Sequence, residues 1–256
     1  MPYLEINGSS YYYAGDAKKS GIPVVFCHGS GGRHQHWIYQ LKGLTENINP
    51  LVVDLPGHGR SAGFPADNIT SYRDWLNNFC KALNLNSFVL AGHSMGGAIA
   101  LDYALQYPAG IAGLVLVGTG GRLKVMPSFL ETLREGIVPD SLVDFLYGTN
   151  APASLIEKGR QQVASTSASI FLADLTACNQ FDIMDRLPCI HQPVLLICGS
   201  EDRLTPLKYT HTLNERLPRS EVVEITGAGH MVMLEAPEAV NQAIVRFIAN
   251  IAPQNH

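Results

Sequence analysis

Charge is scarce in this sequence. Asp, Glu, Lys and Arg supply 16% of the 256 residues, against 46% hydrophobic residues. Soluble domains average about 25% charged, and apolar content this high is enough for a sizeable core, which excludes disorder. A basic surplus is also missing: 18 − 22 leaves a net charge of −4. Nothing is there to neutralise phosphates, so nucleic acid is not an expected partner. Long hydrophobic runs are absent too. The most apolar stretches, Ile22 to Cys27 and Ile111 to Val117, fall far short of the roughly 20 residues that span a bilayer, so no membrane partner is expected. The opening Met1-Pro2-Tyr3-Leu4-Glu5-Ile6 has neither the basic leader nor the apolar stretch of a signal peptide. Cys-x-x-Cys does not occur, which leaves no thiol redox pair and no zinc–thiolate site. The five cysteines, 27, 80, 178, 189 and 198, are odd in number and sit mostly in apolar runs. They read as buried, reduced thiols of a cytoplasmic protein.

What is present is alternation. Val24–Cys27, Leu51–Val53, Phe88–Ala91, Leu114–Val117 and Val194–Cys198 are continuous apolar runs, each followed by a Gly, Asp or His cluster. Runs without polar alternation are covered on both faces, as parallel strands between helix layers are. Amphipathic stretches lie between them at Ser71–Leu83, Ala98–Tyr107, Leu207–Leu217 and Pro237–Ile251, and Val222–Ile225 is a weaker strand. The expected fold is α/β, a mostly parallel doubly wound sheet, with an antiparallel hairpin around Leu4 and Tyr12 on its edge. The rhythm stops between Arg122 and Leu187, where helical pieces occur and no strand does. About 65 residues are too many for a plain connection. Residues 122–187 are therefore expected to form a helical cap on a core made of 1–121 and 188–256. No repeat or linker divides the chain further.

The strongest chemical signal is Gly92-His93-Ser94-Met95-Gly96, directly after a buried strand and before a helix. A chain that reverses from strand to helix in so few residues forces the central Ser into a strained conformation. It also lifts the hydroxyl above the carboxyl end of the sheet, at a helix N-terminus. An idle Ser in a glycine-rich turn is the plain alternative. A nucleophilic Ser needs a base and the base an orienting acid. His230, in Gly229-His230-Met231, and Asp202, in Gly199-Ser200-Glu201-Asp202, each follow a strand on the same rim. Alternatively, His230 is a solvated loop residue and Asp202 a helix cap. The order Ser94, Asp202, His230 favours the chemical reading. Acyl transfer also needs oxyanion donors. The loop His28-Gly29-Ser30-Gly31-Gly32 lets backbone N–H groups come close, and the expected pair is Met95 N–H with that of Ser30 or a direct neighbour. No Gly-Lys-Ser/Thr follows that loop, which argues against a phosphate-binding loop.

These motifs, together with Asp54-Leu55-Pro56-Gly57-His58-Gly59-Arg60-Ser61, span almost the whole chain. They resemble the α/β-hydrolases of the esterase, lipase and haloperoxidase-like group. The resemblance implies that Ser94 is the nucleophile, Asp202 the acid, His230 the base, and Ser30 and Met95 the oxyanion donors. It also implies a cap after the sixth strand. A Ser at the elbow sets the chain apart from relatives on this fold that use a carboxylate nucleophile. The expected activity is that of a serine carboxylesterase acting on small or medium acyl esters, with no cofactor or metal. Carbon–carbon bond hydrolysis, cofactor-free perhydrolysis, or a ligand receptor with a slow hydrolase site remain alternatives with the same residues.

Other residues read as structural. His34-x-His36, beside Trp37, has metal-like spacing but no evident third ligand, and a surface or pocket-rim place is expected. Asp54, His58 and Arg60 read as a turn, and His93 as a packed residue. Met126, Phe129, Phe145, Tyr147, Phe171 and Leu172 are candidates for an acyl pocket or for plain cap core.

Overall fold

The computed structural model describes residues 3–44 and 47–251. Segments 1–2, 45–46 and 252–256 of the expected core lie outside them. Eight strands form one sheet in the order β1-β2-β4-β3-β5-β6-β7-β8. They are β1 (Tyr3–Ile6), β2 (Ser9–Ala14), β3 (Ile22–Cys27), β4 (Ile48–Val53), β5 (Phe88–His93), β6 (Ile111–Val117), β7 (Val194–Gly199) and β8 (Ser220–Ile225). β1 and β2 make the edge hairpin, Tyr3 opposite Tyr12, and β2 runs antiparallel to β4. All the other pairings are parallel.

The helices are α1 (Ile38–Gly43), α2 (Ile69–Ala82), α3 (Met95–Gln106), α4 (Pro127–Arg134), α5 (Ala153–Ser165), α6 (Ala168–Gln180), α7 (Leu207–Arg216), α8 (Val232–Glu235) and α9 (Pro237–Ile251). Side chains that alternate along each strand divide between two cores. Val25, Leu51, Leu90 and Leu196 pack with Leu76 and Phe79 of α2 and Ile99 of α3. Val24, Val52, Val89 and Leu195 pack with Ile244 and Phe247 of α9. This two-sided burial is why the central runs lack polar residues. β8, at the edge, alternates between partly buried and exposed positions.

Among the helical pieces between residues 122 and 187, one is a 3-10 segment, Asp140–Phe145. Pro139 precedes it and Gly148 follows closely, and so short a stretch favours the tighter i→i+3 turn. Cys189 is exposed, whereas the other four cysteines are buried, and all five are free. It ends a 3-10 turn containing Pro188, and this exposure departs from the expected burial. No helix among the described residues is long and apolar enough to cross a membrane.

Candidate active site

β5 ends at His93 and α3 begins at Met95, so Ser94 alone makes the turn. Its backbone sits at φ 53°, ψ −117°, a conformation that costs a residue with a side chain on the order of 1–3 kcal/mol and persists only where neighbours enforce it. They do. Ser94 N–H donates to Val117 O (2.9 Å), and Thr119 Oγ1 donates to Ser94 O (2.8 Å). The flanking glycines are needed for close approach. A Cβ on Gly92 would strike the Gly96 carbonyl, and one on Gly96 would lie 2.7 Å from His28 O.

His230 follows β8, and its Nδ1 lies 2.8 Å from Asp202 Oδ2. Thr205 Oγ1 donates to the same oxygen at 2.8 Å, while Asp202 Oδ1 accepts from the N–H groups of Leu204 and Thr205. Burial alone would raise the Asp202 pKa, but His230 and the Thr205 donors outweigh it and hold the carboxyl below its usual value. Asp202 is not the cap of α7, whose N-cap is Pro206 with no side-chain cap bond. One oxygen shapes the turn before α7, and the other orients an imidazole. The adjacent Glu201 faces elsewhere and accepts from Thr149 N–H at 2.6 Å. His93 Nε2 donates to His230 O (3.0 Å), and the two rings lie 4.5 Å apart. Burial pushes the His93 pKa well down, which favours a neutral ring whose Nε2–H is held by the His230 carbonyl.

Ser94 and His230 line one cavity of about 290 Å³, and no hydrogen bond joins them. Such bonds commonly tighten only once substrate is bound. Ser30 lines the cavity as well, while Met95 is buried at the start of α3. Within the Gly29–Gly32 loop, Gly32 N–H donates to Gly29 O (3.0 Å) and Gly31 N–H to Asp174 Oδ2 (2.7 Å). The N–H groups of Ser30 and Met95 meet no protein acceptor among the described residues. That leaves the expected pair of donors free.

Of the candidate pocket residues between 122 and 187, Met126, Phe129, Phe145, Tyr147 and Phe171 line the cavity, while Leu172 packs against the core. Of the surface or pocket-rim places expected for the histidine pair, His36 takes the second, on the cavity wall, and His34 takes neither. His34 is buried, with Nδ1 2.9 Å from the fully buried Asp54. His36 is buried against Gln162 on the cavity wall, and desolvation pushes its pKa down to about 4. Among the described residues no group of three His, Cys, Asp or Glu side chains is placed to hold a metal ion. Asp54 closes its turn by accepting from Arg60 N–H (2.9 Å), which fits the structural reading. Two carboxylates escaped sequence reasoning. Asp174 is one, and Glu235 the other. Glu235 accepts from Gly148 N–H (2.9 Å) and Gly229 N–H (3.1 Å), joining the loop before α5 to the loop that carries His230. Neither belongs to a local motif.

A family model described as the alpha/beta hydrolase fold matches residues 22–237. A thermophilic esterase of known structure is 32% identical, with a TM-score of 0.85 over 98% of this chain and 97% of its own. A thermophilic esterase from Thermogutta terrifontis, solved with malate bound, is 27% identical, with a TM-score of 0.86 over the same shares. The RutD protein of Agrobacterium fabrum, whose name provisionally gives it carbamate hydrolysis, is 28% identical over 88% of this chain and 92% of its own.

Proposed function

The chain belongs to the alpha/beta hydrolase family, and as a member of it we propose that it is a serine carboxylesterase working through Ser94, His230 and Asp202 on small or medium acyl esters. The observation that most supports this reading is the Asp202–His230 contact of 2.8 Å, on the cavity that Ser94 also lines. Donation from Nδ1 to Asp202 leaves the Nε2 lone pair free to act as base.

In the proposed reaction His230 Nε2 takes the Ser94 hydroxyl proton as Oγ attacks the ester carbonyl carbon. The carbonyl oxygen becomes an oxyanion that accepts from Ser30 N–H and Met95 N–H, and Asp202 stabilises the imidazolium. His230 then gives its proton to the departing alkoxide, leaving an acyl-Ser94. Water repeats the sequence, with its proton taken by His230, and releases the acid and free Ser94. The cycle as written balances without a metal or cofactor. Residues 122–187 act in this reading as the cap whose apolar side chains select the acyl chain. The buried free thiols fit a reducing compartment, and we take the cytoplasm as its setting.

A panel of p-nitrophenyl esters from acetate to decanoate, run against a ring-cleavage diketone with and without peroxide, tests the proposal. Turnover of the esters is expected, with little on the diketone and no dependence on peroxide. Turnover of the diketone alone would replace ester hydrolysis with carbon–carbon cleavage. Stoichiometric binding of a ligand with about one turnover per molecule would point to a receptor.

A further inference from the structure

Asp174 is fully buried in α6 yet touches three other segments. Its Oδ2 accepts from Gly31 N–H at 2.7 Å and from His58 Nε2 at 2.9 Å, and its Oδ1 accepts from Tyr72 Oη at 2.6 Å. These partners lie 143, 116 and 102 residues away, on the loops after β3 and β4 and on α2. The direction of each bond follows from its surroundings. Tyr72 Oη accepts from Ala66 N–H (2.9 Å), so its own proton goes to Asp174. His58 Nδ1 faces the carbonyl oxygen of Pro56 at 2.9 Å, and Nε2 faces a carboxylate that already collects two donors. Both ring nitrogens meet acceptors, so both carry protons, and His58 is an imidazolium. Asp174 and His58 form a buried ion pair.

Such a pair adds little net stability, because desolvation offsets the attraction, and its value lies in orientation. Here the oriented object is the oxyanion loop. Gly31 sits at φ 61° and presents its bare Cα to the Phe171 ring, leaving no room for a Cβ. Phe171 is one turn before Asp174 on the same helix. One face of α6 therefore packs on Gly31 and hydrogen-bonds it. With Gly31 N–H tied to Asp174 and Gly32 N–H tied to Gly29 O, the intervening peptide is fixed and Ser30 N–H is the donor left free.

We propose that Asp174, charged and clamped by His58 and Tyr72, is the positioning residue that aims the Ser30 N–H at the oxyanion. Cap packing and assembly of the oxyanion site are then a single event. This inference rests on the serine-esterase reading above.

The test compares an ester with its thionoester, in which sulfur replaces the carbonyl oxygen and fits an oxyanion site poorly. Asp174→Asn keeps the side-chain size and removes the charge. Its kcat on the oxoester is expected to fall roughly 10- to 100-fold, the scale of a misaimed oxyanion donor, with KM changed less than about threefold. The oxoester-to-thionoester ratio of kcat/KM should shrink with it. A partly unfolded enzyme would lose both substrates equally and keep the ratio. Tyr72→Phe and His58→Gln, which loosen the clamp and leave Asp174 in place, should shift the ratio in the same direction by less. They decide the matter if Asp174→Asn does not fold. An unchanged ratio in the folded variants would overturn the proposal, even with activity reduced. Wild-type protein that turns over neither substrate, and does not react with a fluorophosphonate, would instead overturn the esterase reading.

Discussion

Gly118 leaves little space for a side chain beside His230. A Cβ there would lie 3.3 Å from His230 Nδ1 and 3.2 Å from Asp202 Oδ2, on a backbone at φ 53°. The residue just after β6 thus lies against the Asp202–His230 pair. Gly118→Ala is expected to cost on the order of 1–2 kcal/mol of stability from the left-handed backbone alone. It should cost more in catalysis, at least about tenfold in kcat, because the methyl displaces the imidazole. Thermal melts alongside ester kinetics separate the two, and a loss of stability with full activity would contradict this placement.

Asp202 and Glu201 are neighbours in the chain with different partners, so they should respond differently to loss of charge. Asp202→Asn is expected to lower kcat by roughly 10⁴-fold, since the amide cannot stabilise the imidazolium and favours the wrong tautomer. Glu201→Gln touches only the exposed contact with Thr149 and should stay within about threefold of wild type, the scale of a weak surface interaction. Steady-state kinetics on one p-nitrophenyl ester checks both.

The cap side chains are expected to sort by burial. Phe129 and Phe145, rings 6.3 Å apart on the cavity wall, should shift the acyl-length profile by roughly 10- to 200-fold in kcat/KM when either becomes Ala. Phe171 packs on Gly31, so Phe171→Ala should lower kcat for every chain length as well. Profiles from acetate to decanoate, with a melting curve for each variant, check the distinction.

Stability should fall on both sides of a plateau. Asp54 and Asp202 are held below the usual carboxylate value, in each case because partners outweigh burial. Their contribution is complete above about pH 4, the unfolded carboxylate value, and is lost as pH falls through the lower folded values. His58 is the reverse. Burial lowers its pKa, but Asp174 outweighs that and raises it. Its contribution is complete below about pH 6.5 and is lost as pH rises through the raised value. The groups facing His58 are Asp174, Tyr72, Asp54, the neutral His28 ring 4.9 Å away and, behind Asp174, the buried Cys178 thiol. Tm measured from pH 3 to pH 9 should be dome-shaped, and His58→Gln should flatten the alkaline side.

Local patterns explain what could be read in advance. The sheet was legible because strands buried on both faces must be continuously apolar, and the turn at Ser94 because Gly92, Ser94 and Gly96 stand at alternate positions between a strand and a helix. That Asp202 and His230 would meet could be anticipated because each follows a strand at the same rim. The pairs His34–Asp54 and His58–Asp174 were not, since each joins segments brought together only by the sheet crossovers and the cap. An Asp within α6 has the same local signature whether it faces water or three buried donors. Cys189 misled for a related reason, because an apolar neighbourhood in sequence does not separate a buried position from an exposed turn.

The most direct measurement is covalent. Wild-type protein treated with a small fluorophosphonate and analysed by peptide mass spectrometry should carry one adduct per chain, on Ser94. Ser94→Ala should melt as the wild type does, take up no label and retain less than about one per cent of ester hydrolysis, since losing a triad Ser costs about a million-fold in well-studied hydrolases. An adduct on another residue, or a folded Ser94→Ala that keeps more than that activity, would contradict the assignment of Ser94 as nucleophile.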